Sequence, residues 1–251
     1  MPEPPRSHLA EALVRSAFAG RRRVPVDLEG IARDLGVSEV VTAQMTEDGR
    51  TTWHGGRPRI ELRDGRPKSR TRFTFAHEVG HILIARDESV VRRTRALDAD
   101  ATERLCDEIA AAILMPREWV LPYASREKLT LSLVRLVAHR GQVSLSAAAV
   151  RLAEVGGRTC ALLRWQRGPA RWLVVERQAG VPGRFSGLLE ASPSTSELLD
   201  QLPSRRDIWV DVLLMAGERP LHALAHVDRS GSTCLTLLTS IKPVCSTDAP
   251  A

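Results

Sequence analysis

Hydrophobic residues recur at helical spacing through the first part of the chain and gather into strand-length runs in the last. Leu9, Leu13 and Ala17 predict a helix over 7–19. A second short helix, 27–35, follows Val24-Pro25-Val26, with Asp27 placed to cap it and Gly36 to stop it. Val37 to Met45 reads as a strand. The Gly-, Arg- and Pro-rich stretch from Arg50 to Arg70 holds one predicted strand, Arg59–Leu62. Phe75, Ala76, Val79, Ile82 and Leu83 form the apolar stripe of a helix from Thr74 to Ala85. Arg86 to Ala99 is polar and reads as a loop. A long helix spans Ala101–Met115 and ends before Pro116. Two more follow, Arg126–His139 and Ser144–Val155, parted by Gly141 and ended by Gly156-Gly157.

After Gly157 the texture changes. Thr159–Trp165, Trp172–Arg177, Ile208–Met215, Leu221–Val227 and Cys234–Ser240 read as strands, interrupted by one helix at Ser194–Leu202. Arg167-Gly168-Pro169-Ala170 makes the first two a hairpin. The connections suit a mostly antiparallel sheet. The expected class is α+β. A mainly helical domain with a small sheet covers 1–157, including a closing helical segment at about 126–156. A mostly antiparallel β/α domain covers 158–251. There is no internal repeat.

The 251 residues are 43% hydrophobic and 26% charged, the usage of ordinary globular proteins. No run approaches 18 apolar residues, so no membrane span is expected. The start, Met1-Pro2-Glu3-Pro4-Pro5-Arg6, lacks the apolar run of a signal peptide, and the expected compartment is the cytoplasm. Cys106, Cys160, Cys234 and Cys245 show no CxxC spacing, so reduced thiols are expected and Cys106 reads as core filler. Net charge is +6. Between Arg50 and Arg95, twelve cations face five anions. Such a patch suits an acidic protein partner or nucleic acid, or is simply a solvated surface. The helix pair around Gly141 has the layout of a helix-turn-helix. Its second helix begins with serines and alanines and carries one late arginine, Arg151, so packing is the better reading than base recognition. Trp165, Trp172 and Trp209 read as core, and His222 and His226 as structural.

The chemistry concentrates in His77-Glu78-Val79-Gly80-His81, an HExxH on a predicted helix. Spacing of four residues puts both imidazoles on one face, a turn apart, where both can bind one Zn²⁺. Glu78 then lies beside the metal and can take a proton from a water whose pKa the metal lowers toward roughly 7. Such a site needs a third protein ligand. On the next helix Glu103 and Asp107 form ExxxD. Glu103 suits the ligand role and Asp107 the acceptor that orients a ligand histidine. Glu108 is the alternative ligand. An oxyanion donor is also needed. Tyr123 and His139 are candidates, with Arg72 and His54 behind them. The strand at Arg59–Leu62 is a candidate to hold substrate backbone by strand addition.

Arg72-Phe73-Thr74-Phe75-Ala76-His77-Glu78-Val79-Gly80-His81 resembles the signature of ImmA/IrrE-type zinc metallopeptidases. Ala110-Ala111-Ala112-Ile113-Leu114-Met115-Pro116, Val24-Pro25-Val26-Asp27-Leu28 to Gly36-Val37, and Gln142-Val143-Ser144 to Arg151-Leu152 resemble further parts of that family. The resemblance spans about 7–157. It implies a zincin-like domain, bound Zn²⁺, and cleavage of an Xre-type helix-turn-helix repressor in mobile-element induction or a stress response. The family often has Ala-Asn where this chain has Cys106-Asp107. Some relatives carry a GAF-like sensor after this domain, and the same is expected for 158–251. The expected function is thus a cytoplasmic metallo-endopeptidase that controls transcription by proteolysis. The alternative is a regulator that binds a repressor or DNA without cutting and keeps the site structurally. Direct DNA binding is the weaker of its two forms.

Overall fold

The computed structural model describes residues 6–18, 23–94, 99–158, 160–168, 172–179, 189–202, 208–216, 219–230 and 232–243. The chain forms two compact units. One comprises Met1–Val120 with Ala138–Ser144, the other Leu121–Val137 with Leu145–Ala251.

The first unit opens with α1 (Arg6–Ala17) and α2 (Leu28–Asp34). Asp27 caps α2 as its position predicts, accepting from the Gly30 N–H at 2.9 Å. A three-stranded sheet follows: β1 (Val40–Ala43), β2 (Gly49–His54) and β3 (Arg57–Arg63), in the order β1-β3-β2. β1 runs parallel to β3, and β2 antiparallel to it. The strand β2 is an addition to the sequence reading. Gly55 and Gly56, both at positive φ, turn β2 into β3, the two-residue hairpin that a Gly-Gly pair favours. β3 alternates in burial, with Ile60 and Leu62 in the core.

The helix α3 (Lys68–Arg86) lies across this sheet. It begins six residues earlier than the expected start at Thr74, behind Pro67. Thr74 to Ala76, Glu78 to Gly80 and Ile82 to Ile84 are buried, so it is the central element of the unit. The expected loop after it contains a short helix, α4 (Glu88–Thr94). Asp87 nucleates it by accepting from the Ser89 and Val90 N–H groups, and Val90 is buried. α5 (Ala99–Leu114) packs on α3 and on α1. The α3–α5 approach is close. A Cβ added at Gly80 would lie 3.4 Å from the Cα and the carbonyl oxygen of Cys106.

The helix α6 (Arg117–Ala124), also absent from the sequence reading, straddles the division and contains Pro122. α7 (Leu131–Gly141) starts later than expected, and α8 (Leu145–Val155) matches its prediction. The second unit closes six antiparallel strands into a barrel: β4 (Cys160–Arg167), β5 (Trp172–Ala179), β6 (Leu189–Ala191), β7 (Ile208–Ala216), β8 (Arg219–Ser230) and β9 (Thr233–Pro243). β4 pairs with both β5 and β9, which closes the ring. The β4–β5 hairpin is present, although Pro169 and Ala170 at its tip lie outside the described residues. The short strand β6 and α9 (Pro193–Gln201) stand between β5 and β7.

The division falls earlier than the expected boundary near Gly157, for a reason in the contacts. The Leu131 N–H at the start of α7 donates to buried His226 Nδ1 on β8 at 3.2 Å. Arg135 of α7 pairs with Asp228 of β8. On α8, the Ala149 carbonyl accepts from Cys160 Sγ at the start of β4. Leu131–Val137 of α7, and α8, are therefore packed with the barrel. His226 is structural, as expected, and Trp165 is core, donating to Thr236 Oγ1 at 2.8 Å. The side chains of Trp172, Trp209 and His222, and Cys245, lie outside the described residues.

Candidate metal centre and active site

Two helices build the site. α3 contributes His77, Glu78 and His81; α5 contributes Glu103, Cys106 and Asp107. His77 Nδ1 lies 2.8 Å from Asp107 Oδ1. With Asp107 accepting, Nδ1 carries the hydrogen and Nε2 presents a lone pair. That Nε2 lies 3.2 Å from His81 Nε2 and 3.1 Å from Glu103 Oε2. His81 Nε2 is 3.5 Å from Glu103 Oε1. Three electron-pair donors thus converge on one point. Ligand atoms about 2.1 Å from a tetrahedral centre lie about 3.4 Å from each other. The observed separations bracket that value, so these residues fit a small divalent cation.

Cys106 Sγ lies within the same group, the donor atoms of His77, His81 and Cys106 all being within 4.8 Å of one another. Its contact, however, is with the far nitrogen, His81 Nδ1, at 3.5 Å. One imidazole cannot give both nitrogens to one ion. The two Nε2 atoms and Glu103 therefore make the better ligand set. Burial and the nearby Glu103, Glu78 and Asp107 charges push the Cys106 thiol up. Burial of the His77 ring opposes its protonation, yet the hydrogen bond and charge of Asp107, with Glu78 and Glu103 beyond, hold it above the usual histidine value.

Glu78 is buried and points to β2, where Thr51 Oγ1 donates to its Oε2 at 2.7 Å. Gly49 lies against the same carboxylate: a Cβ there would sit 2.9 Å from Glu78 Oε1. Neither Thr51 nor Gly49 is a candidate in the sequence reading. The Gly55-Gly56 pair after Thr51-Thr52-Trp53 is the signal that locates them. Next to these groups runs an open cleft of about 800 Å³, lined by His77, Glu78, His81, Glu103 and Asp107 and by β2.

Among the other candidates, Glu108, Tyr123, His139, Arg72 and His54 do not line this cleft. Arg72 donates to the Val26 carbonyl at 2.9 Å, and His54 contacts Thr52 at the β2 end. The strand at Arg59–Leu62 is paired on both sides, so strand addition there is excluded; among the described residues β1 and β2 are the edge strands, and β2 is the one that lines the cleft. Part of the arginine-rich window is paired with carboxylates. Arg50 pairs with Glu61, Arg59 with Glu39, and Arg66 and Arg70 with Asp48. On α8, Arg151 is buried and paired with Glu154, which removes the one base-reading candidate.

Residues 32–153 match the family of the IrrE N-terminal-like domain, Peptidase_M78. This segment belongs to the ImmA/IrrE family. The matched stretch takes in β1 to α5, with the whole site, and runs on through most of α8. The radiation response metalloprotease IrrE of Deinococcus radiodurans is 35% identical over 90 residues, 34% of this chain and 27% of that protein. Its counterpart in Deinococcus deserti is 30% identical over 161 residues, 56% of this chain and 57% of that protein. The chain thus spans between about a quarter and just over half of those relatives. A transcriptional regulator of Mycobacterium tuberculosis shares the fold over 93% of this chain and 75% of its own, with a TM-score of 0.55 and 16% identity. The match suggests a metallopeptidase type of domain, and such a family implies a divalent metal. Among the described residues no helix is long and apolar enough to cross a membrane.

Proposed function

We propose that the protein is a cytoplasmic, zinc-dependent endopeptidase that cleaves a regulatory protein, an Xre-type helix-turn-helix repressor being the substrate class the family suggests. One observation carries this reading: His77 Nε2, His81 Nε2 and the Glu103 carboxylate converge beside a buried glutamate at an open strand edge. In this reading His77, His81 and Glu103 hold the zinc, and Asp107 orients His77. When bound, zinc supplies a Lewis acid that lowers the pKa of water and polarises the scissile carbonyl. Glu78 takes the proton from the attacking water and returns it to the leaving amine. Thr51 holds the Glu78 carboxylate toward the cleft during both transfers.

Substrate backbone binds along β2. The ladder from the Arg63 N–H to the Asp48 carbonyl, alternating along the register, directs the peptide groups of Asp48, Arg50, Thr52 and His54 to β3. Those of Gly49, Thr51 and Trp53 face the open edge. An extended segment adds there as a strand. Among the described residues the barrel unit contributes none of those that line the cleft, and its proposed role is regulation, as a GAF-like sensor.

The experiment is metal analysis of the purified protein together with co-expression of the repressor. Stoichiometric zinc in wild type and in Glu78→Gln, lost in His77→Ala, is expected. A repressor truncated by wild type and intact with Glu78→Gln completes the case. No zinc under metal-replete conditions refutes the ligand assignment. Relief of repression by Glu78→Gln without cleavage refutes the protease and supports binding alone.

A further inference from the structure

The two ligand histidines are served unequally. Once Nε2 binds a metal, Nδ1 must carry a hydrogen, and the group that accepts it fixes the ring. His77 has the carboxylate of Asp107 for this. At His81 the group found at Nδ1 is the sulfur of Cys106, 3.5 Å away and fully buried. The sulfur is held there by backbone packing. Gly80, the residue before His81, lets α3 settle against the Cα and carbonyl of Cys106. Glu103, Cys106 and Asp107 are thereby presented together on α5.

We propose that Cys106 is a positioning residue, whose sulfur accepts the Nδ1–H of His81 and so aims the Nε2 lone pair at the metal. The inference rests on the ligand assignment above. A thiol differs from the Asp107 carboxylate in having a proton of its own. With metal bound, Sγ accepts from Nδ1–H. Without metal, the same S–H can turn and donate to a bare Nδ1, leaving Nε2–H to face His77. Cys106 therefore satisfies His81 in both states.

The test uses the full chain. Zinc affinity is measured by competition with a chromophoric chelator for wild type, Cys106→Ala and Cys106→Ser. Removing such a partner costs 10–100-fold in affinity. A thiol is a weak acceptor, so about tenfold is expected for alanine, with most of it restored by serine, whose hydroxyl also donates and accepts. In the ¹⁵N-labelled zinc form, the His81 Nδ1–H should exchange with solvent faster in Cys106→Ala than in wild type. Thermal unfolding shows whether each variant is folded. Equal affinity and equal exchange in folded Cys106→Ala would overturn the proposal and leave the ligand assignment standing. So would serine behaving as alanine does. A sulfur-to-cobalt charge-transfer band in the cobalt-loaded wild type, absent from Cys106→Ser, would make Cys106 a ligand and overturn its positioning role. Failure of the wild type itself to bind zinc would overturn both.

Discussion

Substituting Gly49 by alanine probes how β2 and α3 together hold Glu78, the proposed general base. The new Cβ would stand 2.4 Å from Thr74 Cγ2 and 2.9 Å from Glu78 Oε1. Carbon atoms settle at about 3.5–4.0 Å, so the strand must retreat from α3 by about 1 Å. Thr51 follows Gly49 on the same face of β2, and its 2.7 Å hydrogen bond to Glu78 Oε2 would be stretched past a useful length. Overpacking of this kind costs about 1–3 kcal/mol, or about 2–4 °C of melting temperature for each kcal/mol in a domain of this size. The effect on rate is larger, since a displacement of about 1 Å at a reacting centre costs on the order of 100-fold. Thermal unfolding and kcat/KM on a quenched-fluorescence peptide library measure the two losses separately. Adding Thr74→Ser removes the methyl responsible for the shorter contact and leaves Glu78 Oε1 crowded. The double variant should recover stability more fully than activity. A Gly49→Ala protein that melts and cleaves like wild type would refute the claim that β2 positions Glu78.

Thr51→Val keeps the side-chain shape and removes the donor to Glu78. A hydrogen bond to a charged group is worth about 1.5–3 kcal/mol, so kcat should fall by about 10–100-fold with KM little changed, read from steady-state kinetics. Asp48 gives a pH prediction. Its partial burial raises its pKa, but hydrogen bonds and charges from Arg70 and Arg66 outweigh that and hold it below the ordinary value of 3.8. Its stabilising contribution is therefore complete above that ordinary value and disappears as pH falls through the depressed one. Asp48→Asn should cost up to about 1 kcal/mol at neutral pH. The difference from wild type in denaturant unfolding should shrink toward strong acid, and a difference that grows instead would reverse the assignment.

The sequence alone determined the parts of this protein whose information is local. The spacing of His77 and His81 is a property of one helix turn, and both helices that carry the site announce themselves by periodic apolar residues. Asp27 as a cap and Gly157 as a stop are likewise local signals. The pairing of Glu103 and Asp107 on one face of α5 was legible for the same reason. Where local signals were weak or masked, the reading failed: β2 behind its charged and glycine-rich surroundings, α4 in a polar stretch, and α6 around Pro122. Packing decided what spacing cannot. The register of α5 against α3, set at Gly80 and Cys106, brings Glu103 to both imidazoles and leaves Glu108 outside the cleft. The hairpin pairing made β2 an edge strand beside the cleft and placed Thr51 on Glu78, which no helical or strand period encodes. Contacts of Arg135 with Asp228 and Leu131 with His226 assigned the first part of α7, Leu131–Val137, to the barrel unit, a pairing of residues more than ninety positions apart. Chemistry carried by one element could be read from the chain; chemistry shared between elements depends on distances that only the folded structure sets.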